Sequence, residues 1–122
     1  QSKMKRFFLM LTMLLMFGAV NAQIGDVQQK GSHLYCYDGQ REIGRIYLSS
    51  SDVFLGFSSA IVVIKKGNHI CSCDAKGREL GRFYLNSTDQ FRSVIGSNIN
   101  IKKGRTIVTY DVNGREISRR NE

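Results

Sequence analysis

Apolar and polar positions after residue 22 follow one another in short runs separated by turn residues. The clearest run, "AIVVIKK" (60–66), is rich in β-branched residues and leads through Lys-Gly-Asn into "HICSCD" (69–74). A second turn leads to "RELGRFYL" (78–85). Short runs of this kind, bounded by Gly, Asn and Asp, are typical of β-strands joined as hairpins. We therefore predict an all-β domain, since no useful helical periodicity interrupts these runs.

This strand pattern occurs three times in the chain. The phrase Arg-Glu-Ile/Leu-Gly/Ser-Arg recurs at 41–45, 78–82 and 115–119, a spacing of 37 residues each time. A Lys-Gly pair stands upstream of each copy; the run before that pair is apolar in the second copy, mixed in the third and reads "DVQQ" in the first. So many positions in one register indicate an internal repeat. The units span about residues 24–50, 51–87 and 88–120.

The turns of the repeat carry their own signature. In "DAKG" (74–77) and "DVNG" (111–114), Asp opens a type I turn and Gly closes it in the left-handed conformation. This combination predicts a three-residue hairpin loop with a bulge. The first copy, "DGQR" (38–41), is one residue shorter and suits a two-residue Asp-Gly turn. The acids that open the turns are therefore interpreted as turn formers.

A unit of 37 residues with about four short antiparallel strands has the size of a β-propeller blade. We predict three antiparallel meander repeats resembling propeller blades. Three units are fewer than a propeller needs, so a β-trefoil-like closure and a homodimer that completes a six-unit ring are the alternatives. The cadence Lys-Gly … Asp-x-x-Gly, with an aromatic residue before the next unit, resembles WG-type β-repeats over residues 24–120, although the chain has no Trp. That resemblance implies a β-meander built from repeated units.

The first 22 residues read as a signal peptide. "KMKR" (3–6) is basic, "FFLMLTMLLMFGAV" (7–20) is apolar, and the segment ends at the small residue Ala22. Fourteen residues in a helix would reach about 21 Å, short of the ~30 Å hydrocarbon core of a membrane. We predict cleavage after Ala22, with residues 1–3 upstream of the first Met, and one mature domain without a stable membrane anchor.

The leader also indicates a location. It resembles leaders of exported proteins of Bacteroidota-type Gram-negative bacteria, in which Gln after the cleavage site is frequent. The mature domain, residues 23–122, is therefore expected in the periplasm or outside the cell. Its 15 basic and 10 acidic residues give a net charge of +5, against +8 for the whole chain. That bias favours anionic partners, while export makes nucleic acid an unsuitable one.

Two clusters imitate chemical sites. His69, Cys71 and Cys73 alternate along one strand and so share a face, and such soft ligands suit zinc or copper. The outer two are about 13 Å apart along a straight strand, too far for metal bonds of about 2.0–2.3 Å. "GFSSA" (56–60) resembles a nucleophile elbow around Ser58, but a strand follows it where a helix is required. We predict no cofactor and no catalytic residue, and we expect the three cysteines to be buried thiols.

The repeated arginines are the candidate binding residues. Equivalent guanidinium groups in successive units form two rows suited to binding carboxylate, sulfate or phosphate. Alternatively, each arginine pairs locally with the glutamate of its own unit, which is Glu42, Glu79 or Glu116. The two rows are Arg41, Arg78 and Arg115, and Arg45, Arg82 and Arg119.

These features favour an exported, non-enzymatic binding or interaction module. Its expected ligand is an anionic polysaccharide or an acidic protein partner, because the arginine rows and the net charge both suit anions. One alternative is a periplasmic inhibitor or immunity protein with a single tight protein partner. The other alternative is a small secreted hydrolase, for which His69, Cys71 and Cys73 are the residues that break the repeat symmetry.

Overall fold

The computed structural model describes residues 23–122, and this part of the chain is all-β. Its strands are β1 Asp26–Lys30, β2 His33–Asp38, β3 Arg41–Tyr47, β4 Asp52–Phe57, β5 Val62–Lys66, β6 His69–Cys73, β7 Glu79–Tyr84, β8 Gln90–Ile95, β9 Asn98–Lys103, β10 Thr106–Tyr110 and β11 Glu116–Asn121. They form three antiparallel sheets, in the orders β1-β2-β3, β4-β5-β6-β7 and β11-β10-β9-β8. The predicted signal peptide, residues 1–22, lies outside the described residues.

Each sheet is one repeat unit folded as a meander. Strands hydrogen-bond only to strands of their own unit, and the edge strands β4 and β8 bring the second and third sheets into contact. The three sheets therefore follow one another in an open arrangement rather than closing into a barrel. The prediction of an all-β fold of three propeller-blade-like meanders is confirmed. The first sheet has three described strands; the residues one repeat period before β4 lie outside the described residues.

The turns adopt the predicted bulged geometry. Gly77 and Gly114 have φ of 85° and 89°, and a register shift follows Ser72 in β6 and Thr109 in β10. The carboxylate of Asp74 accepts two backbone N–H groups of its own turn, each at 2.9 Å. In the first unit the two-residue loop is Gly39-Gln40, and Asp38 is the last residue of β2. The predicted Asp-Gly placement was thus one residue out of register.

Two apolar junctions hold the sheets together. Strand β5 shows how the middle sheet serves both, because its successive side chains point to opposite faces. Val62 and Ile64 pack with Leu34 of the first sheet, whereas Val63 packs with Ile101 of the third. All five side chains are fully buried. The middle sheet is therefore covered on both faces, and the outer sheets are each covered on one.

The turn of the following unit packs against the glycine of the repeated phrase. A Cβ atom at Gly44 would lie 2.1 Å from the carbonyl oxygen of Ala75, in the following unit's turn. At Gly81 it would lie 2.5 Å from the carbonyl oxygen of Val112 in the third unit's turn. The third copy has Ser118 at the equivalent position, where no described turn packs. This contact explains why the phrase repeats and why its third copy differs.

The outward faces of the first and third sheets depart from the apolar repeat pattern. On the first sheet, Asp26 and Gln28 stand where β5 has Val62 and Ile64. On the third sheet, the side chain of Thr109 donates to Asn100 at 2.6 Å, and Asn100 donates to Ser93 at 3.0 Å. Polar outer faces on terminal units are what stacked repeats need for solubility. The polar residues that distinguish the first copy therefore lie on an exposed face of the first sheet.

Candidate functional site

The second arginine row lies on the edge strands β3, β7 and β11. Each of its members forms an exposed ion pair with the glutamate three residues earlier in the same strand. Pairs of this kind contribute about 0–1 kcal/mol, so they orient the guanidinium more than they stabilise the fold. The local pairing considered from the sequence is therefore present. The pairs are Arg45–Glu42 at 2.7 Å, Arg82–Glu79 at 2.7 Å and Arg119–Glu116 at 2.6 Å.

Arg45 differs from its two equivalents in this row. It donates one hydrogen bond, from Nε to Glu42 Oε2 at 2.7 Å. Arg82 and Arg119 each donate two, from Nε and from Nη2. The Arg45 guanidinium lies 4.9 Å from the ring centroid of Tyr35, its neighbour across the strand pair. Within residues 23–122, the terminal nitrogens of Arg45 make no hydrogen bond to an acidic side chain.

The first arginine row belongs to the turns. Arg78 Nε lies 2.7 Å from Asp74 Oδ2, and Arg41 Nη2 lies 3.6 Å from Asp38 Oδ2. Arg115 makes no side-chain ion pair within the described part of the chain. Partial burial alone would raise the pKa of Asp74, but backbone donors and the Arg78 guanidinium outweigh it and lower the pKa. These arginines are thus tied to local turn structure.

The residues considered for a metal site lie in the packed interior or beside it. Cys71 and Cys73 are fully buried, and the ring of His69 contacts Tyr84 edge to face at 5.9 Å. No group of three or more metal-binding side chains occurs in residues 23–122. Cys73 shares the first apolar junction with Cys36, because the sheets stack face to face. Burial raises the pKa of both thiols to about 11, so they stay protonated and unreactive.

The uncovered face of the first sheet is a further candidate that the sequence analysis missed. We call it the first-sheet face. It points away from the second sheet, and no other sheet of the described residues packs against it. It combines four aromatic rings with two cations and two acids. Its side chains form three cross-strand rows, which are Lys30-His33-Tyr47, Gln28-Tyr35-Arg45 and Asp26-Tyr37-Glu42.

The aromatic and cationic groups of the first-sheet face contact one another. His33 lies edge to face with Tyr47, with ring centroids 5.6 Å apart, and is 6.3 Å from Tyr35. Lys30 Nζ is 5.3 Å from the centroid of Tyr35, so two cations approach that one ring. Cation–π contacts of this kind at exposed sites are worth about 0.5–1 kcal/mol each. Lys30 and Arg45 therefore each contact Tyr35, which lies on the middle strand of the face.

Charge is separated along the first-sheet face. Both acids lie in the third row, where Asp26 accepts hydrogen bonds from Gln28 Nε2 at 3.1 Å and from a backbone N–H. Glu42 is engaged by Arg45 Nε. The first two rows contain the cations Lys30 and Arg45 and no acid. Lys30 forms no ion pair within the described residues. This end of the face is therefore suited to an anion.

A shallow groove of about 230 Å³ lies between the first and second sheets. Its one carboxylate, Asp74, is already engaged by two backbone N–H groups and by Arg78. The groove therefore presents no acid that is free to exchange a proton with a substrate. Its lining residues are Ile24, Ile43, Ser59, Ala60, Asp74, Ala75, Lys76 and Arg78.

Comparison with protein-family models, curated proteins and solved structures finds no match for this chain. Across residues 23–122 there is no helix with the length and apolar character needed to cross a membrane. The candidate binding residues are therefore identified from the geometry of the first-sheet face and of the arginine rows alone.

Proposed function

We propose that the mature chain is an exported, non-enzymatic binding module for an anionic glycan. The observation that carries this proposal is the first-sheet face, where Lys30 and Arg45 approach the ring of Tyr35 on an uncovered sheet. Lys30 and Arg45 have Lys and Arg as their equivalents in the other units, whereas the equivalents of Tyr35, Cys71 and Val108, are buried apolar residues. The ring of Tyr35 does not serve an apolar junction, so a role in recognition, together with the two cations beside it, accounts for it.

The polar groups that a hydrolase would use are committed to structure. The Ser58 hydroxyl donates to the carbonyl of Gly96 and accepts the N–H groups of Ala60 and Ile61, so it serves a turn. The buried thiols have raised pKa values, which disfavours the nucleophilic thiolate. These assignments favour binding over catalysis.

The size of the face favours a glycan over a protein. A specific protein interface uses about 20–30 residues on each side, whereas the first-sheet face offers nine in three short rows. A glycan strand can use a small flat surface of this kind with a few polar contacts. An acidic protein, including the single partner of an inhibitor or immunity protein, would need neighbouring surface as well.

The polar outward faces also bear on the homodimer considered above. A six-unit ring would have to bury the exposed residues Asp26 and Gln28 in a sheet-to-sheet junction, which is costly without new hydrogen bonds. We therefore propose a monomeric module, which sedimentation of residues 23–122 would test directly.

The test of the function is a binding isotherm of residues 23–122 against uronic-acid polymers, sulfated polymers and a neutral glucan. We expect binding to an acidic polymer, weakened by salt as exposed charge contacts are, and no binding to the neutral one. Absence of binding to every polyanion would refute the proposal. Tight capture of one envelope protein without glycan binding would instead support the inhibitor alternative.

A further inference from the structure

The three equivalent arginines of β3, β7 and β11 bind their glutamates differently. Arg82 and Arg119 each use a terminal nitrogen as well as Nε to hold their glutamate. Arg45 uses Nε alone. In all three arginines the edge formed by the two terminal nitrogens still has two N–H donors, because each terminal nitrogen carries two N–H groups. Two parallel N–H donors on such an edge match the two oxygens of a carboxylate. What distinguishes Arg45 from Arg82 and Arg119 is the set of groups around its guanidinium.

The surroundings hold Arg45 in that orientation. Glu42 fixes one edge through the 2.7 Å bond to Nε, and the ring of Tyr35 lies 4.9 Å from the guanidinium carbon. The second and third units lack this support, because Cys71 and Val108 stand at the position of Tyr35. A guanidinium that is positioned before binding loses less conformational entropy when the ligand arrives.

Two further side chains complete a site around Arg45. Lys30 Nζ lies 5.3 Å from the centroid of the same Tyr35 ring, which brings a second positive charge to it. Tyr47 is 65% exposed in the row beside Arg45, and His33 supports its ring from the edge. An exposed aromatic ring beside two cations offers an apolar surface for the C–H groups of a sugar and charge for its acidic group.

We propose that the first-sheet face binds a uronic acid residue, with the sugar carboxylate on Arg45 and Lys30 and the sugar ring against Tyr47. The inference rests on the proposed function and deepens it, since it assigns the ligand class and the residues of the site. The acids Asp26 and Glu42 share the third row, so a bound carboxylate is directed to the cationic end, beside Lys30 and Arg45. A chain of uronic acids would extend from there along the face.

The repeat supplies matched controls for the test. Arg119 and Tyr84 are equivalents of Arg45 and Tyr47, and both are exposed outside the first-sheet face. The affinity of residues 23–122 is measured for a tetramer of galacturonic acid and for its methyl ester, which keeps the sugar but removes the charge. We expect Arg45→Ala to weaken tetramer binding about tenfold, as for loss of a charge-assisted contact. Arg119→Ala should change it less than about twofold.

Further variants separate charge, ring contact and folding. Arg45→Lys keeps the positive charge but not the paired donors, and should also weaken tetramer binding severalfold. Tyr47→Ala should weaken binding of both the tetramer and its ester, whereas Tyr84→Ala should leave both unchanged. The methyl ester should bind more weakly than the tetramer and be insensitive to Arg45→Ala. Circular dichroism of each variant verifies that the sheets persist.

The outcomes distinguish this inference from the proposed function. Equal losses for Arg45→Ala and Arg119→Ala would overturn the assigned site while leaving a repeated anion-binding surface. Binding of a sulfated polymer without binding of the tetramer would overturn the uronic acid assignment alone. No binding of either polyanion by the parent chain would overturn both.

Discussion

Gly44→Ala tests whether the repeated glycine is the contact between units. The added Cβ would lie 2.1 Å from the carbonyl oxygen of Ala75 and 2.7 Å from its carbonyl carbon. Both are backbone atoms of the next unit's turn, so the first and second sheets must move apart to admit the methyl group. Crowding of this kind in a packed interior costs typically 1–3 kcal/mol.

A smaller effect opposes that cost. Gly44 does not have a positive φ, so alanine can adopt its backbone conformation and would reduce the entropy of the unfolded chain. That gain is about 0.4–1 kcal/mol, and the steric cost exceeds it. We therefore expect Gly44→Ala to lower the free energy of unfolding by about 1–2 kcal/mol. In a domain of this size the melting temperature would fall by roughly 5–15 °C.

The assay is urea and thermal unfolding of residues 23–122, followed by circular dichroism. Ser118→Ala is the matched control, because Ser118 occupies the same position in the third unit, is exposed and already has a side chain. Its effect should stay within about 0.5 kcal/mol. A Gly44→Ala protein as stable as the Ser118→Ala protein would refute the junction contact and, with it, the explanation of the repeated phrase.

Three further predictions concern the turns, the acids and the thiols. Gly114→Ala should destabilise the fold more than Gly77→Ala. Both glycines have a positive φ, but only at Gly114 would the added Cβ lie 2.2 Å from a β7 carbonyl oxygen. Chemical denaturation gives the free energy of unfolding of both variants. The pKa of Asp74 is lower in the folded protein than in the unfolded chain. Its contribution to stability is therefore complete above the unfolded pKa of about 4 and is lost as the pH falls through the folded pKa. Asp74→Asn should remove this loss, so the free energy of unfolding should depend less on pH below about pH 4. Cys36 and Cys73 should react with a thiol reagent at pH 8 only in denaturant, since burial raises their pKa to about 11.

Each of these three has a contrary result. Equal destabilisation at the two turn glycines would mean that the third unit's turn does not pack on β7. An unchanged pH profile in Asp74→Asn would remove the carboxylate from the turn's hydrogen-bond network. Rapid labelling of the thiols in the native protein would place at least one of them outside the packed junction.

The local parts of the fold were predictable from the sequence because their signals are local. The Asp-x-x-Gly phrases predicted bulged hairpins, and Gly77 and Gly114 have the expected positive φ. The short runs of β-branched residues predicted strands such as β5. The loop of the first unit was assigned one residue out of register, because Gly39 is compatible with either central position of a two-residue turn.

The candidate site was less predictable because burial of a sheet face depends on a neighbouring sheet. The "DVQQ" run of the first unit read as a decayed copy, but its Asp26 and Gln28 lie on a face that no sheet covers. Tyr35 was assigned no role from the sequence. Comparing the units position by position would have identified the face, since polar residues replace apolar ones there on one side of the sheet only.

The roles of the arginines were likewise only partly predictable from the sequence. Sequence equivalence predicted equal roles for Arg45, Arg82 and Arg119, and all three do pair with their own glutamate. The difference arises from the residue opposite each arginine on the neighbouring strand, which is aromatic only at Tyr35. That relation becomes visible only when the strand register is known.

A titration of isotopically labelled residues 23–122 with the galacturonic acid tetramer, followed by backbone and side-chain NMR shifts, tests the central claim most directly. The account predicts shifts concentrated on the first-sheet face, with the largest changes at the Arg45 guanidinium and the Tyr35 and Tyr47 rings. Arg119 and the outward face of the third sheet should remain unchanged. Shifts spread equally over β3, β7 and β11, or the absence of any shift, would contradict it.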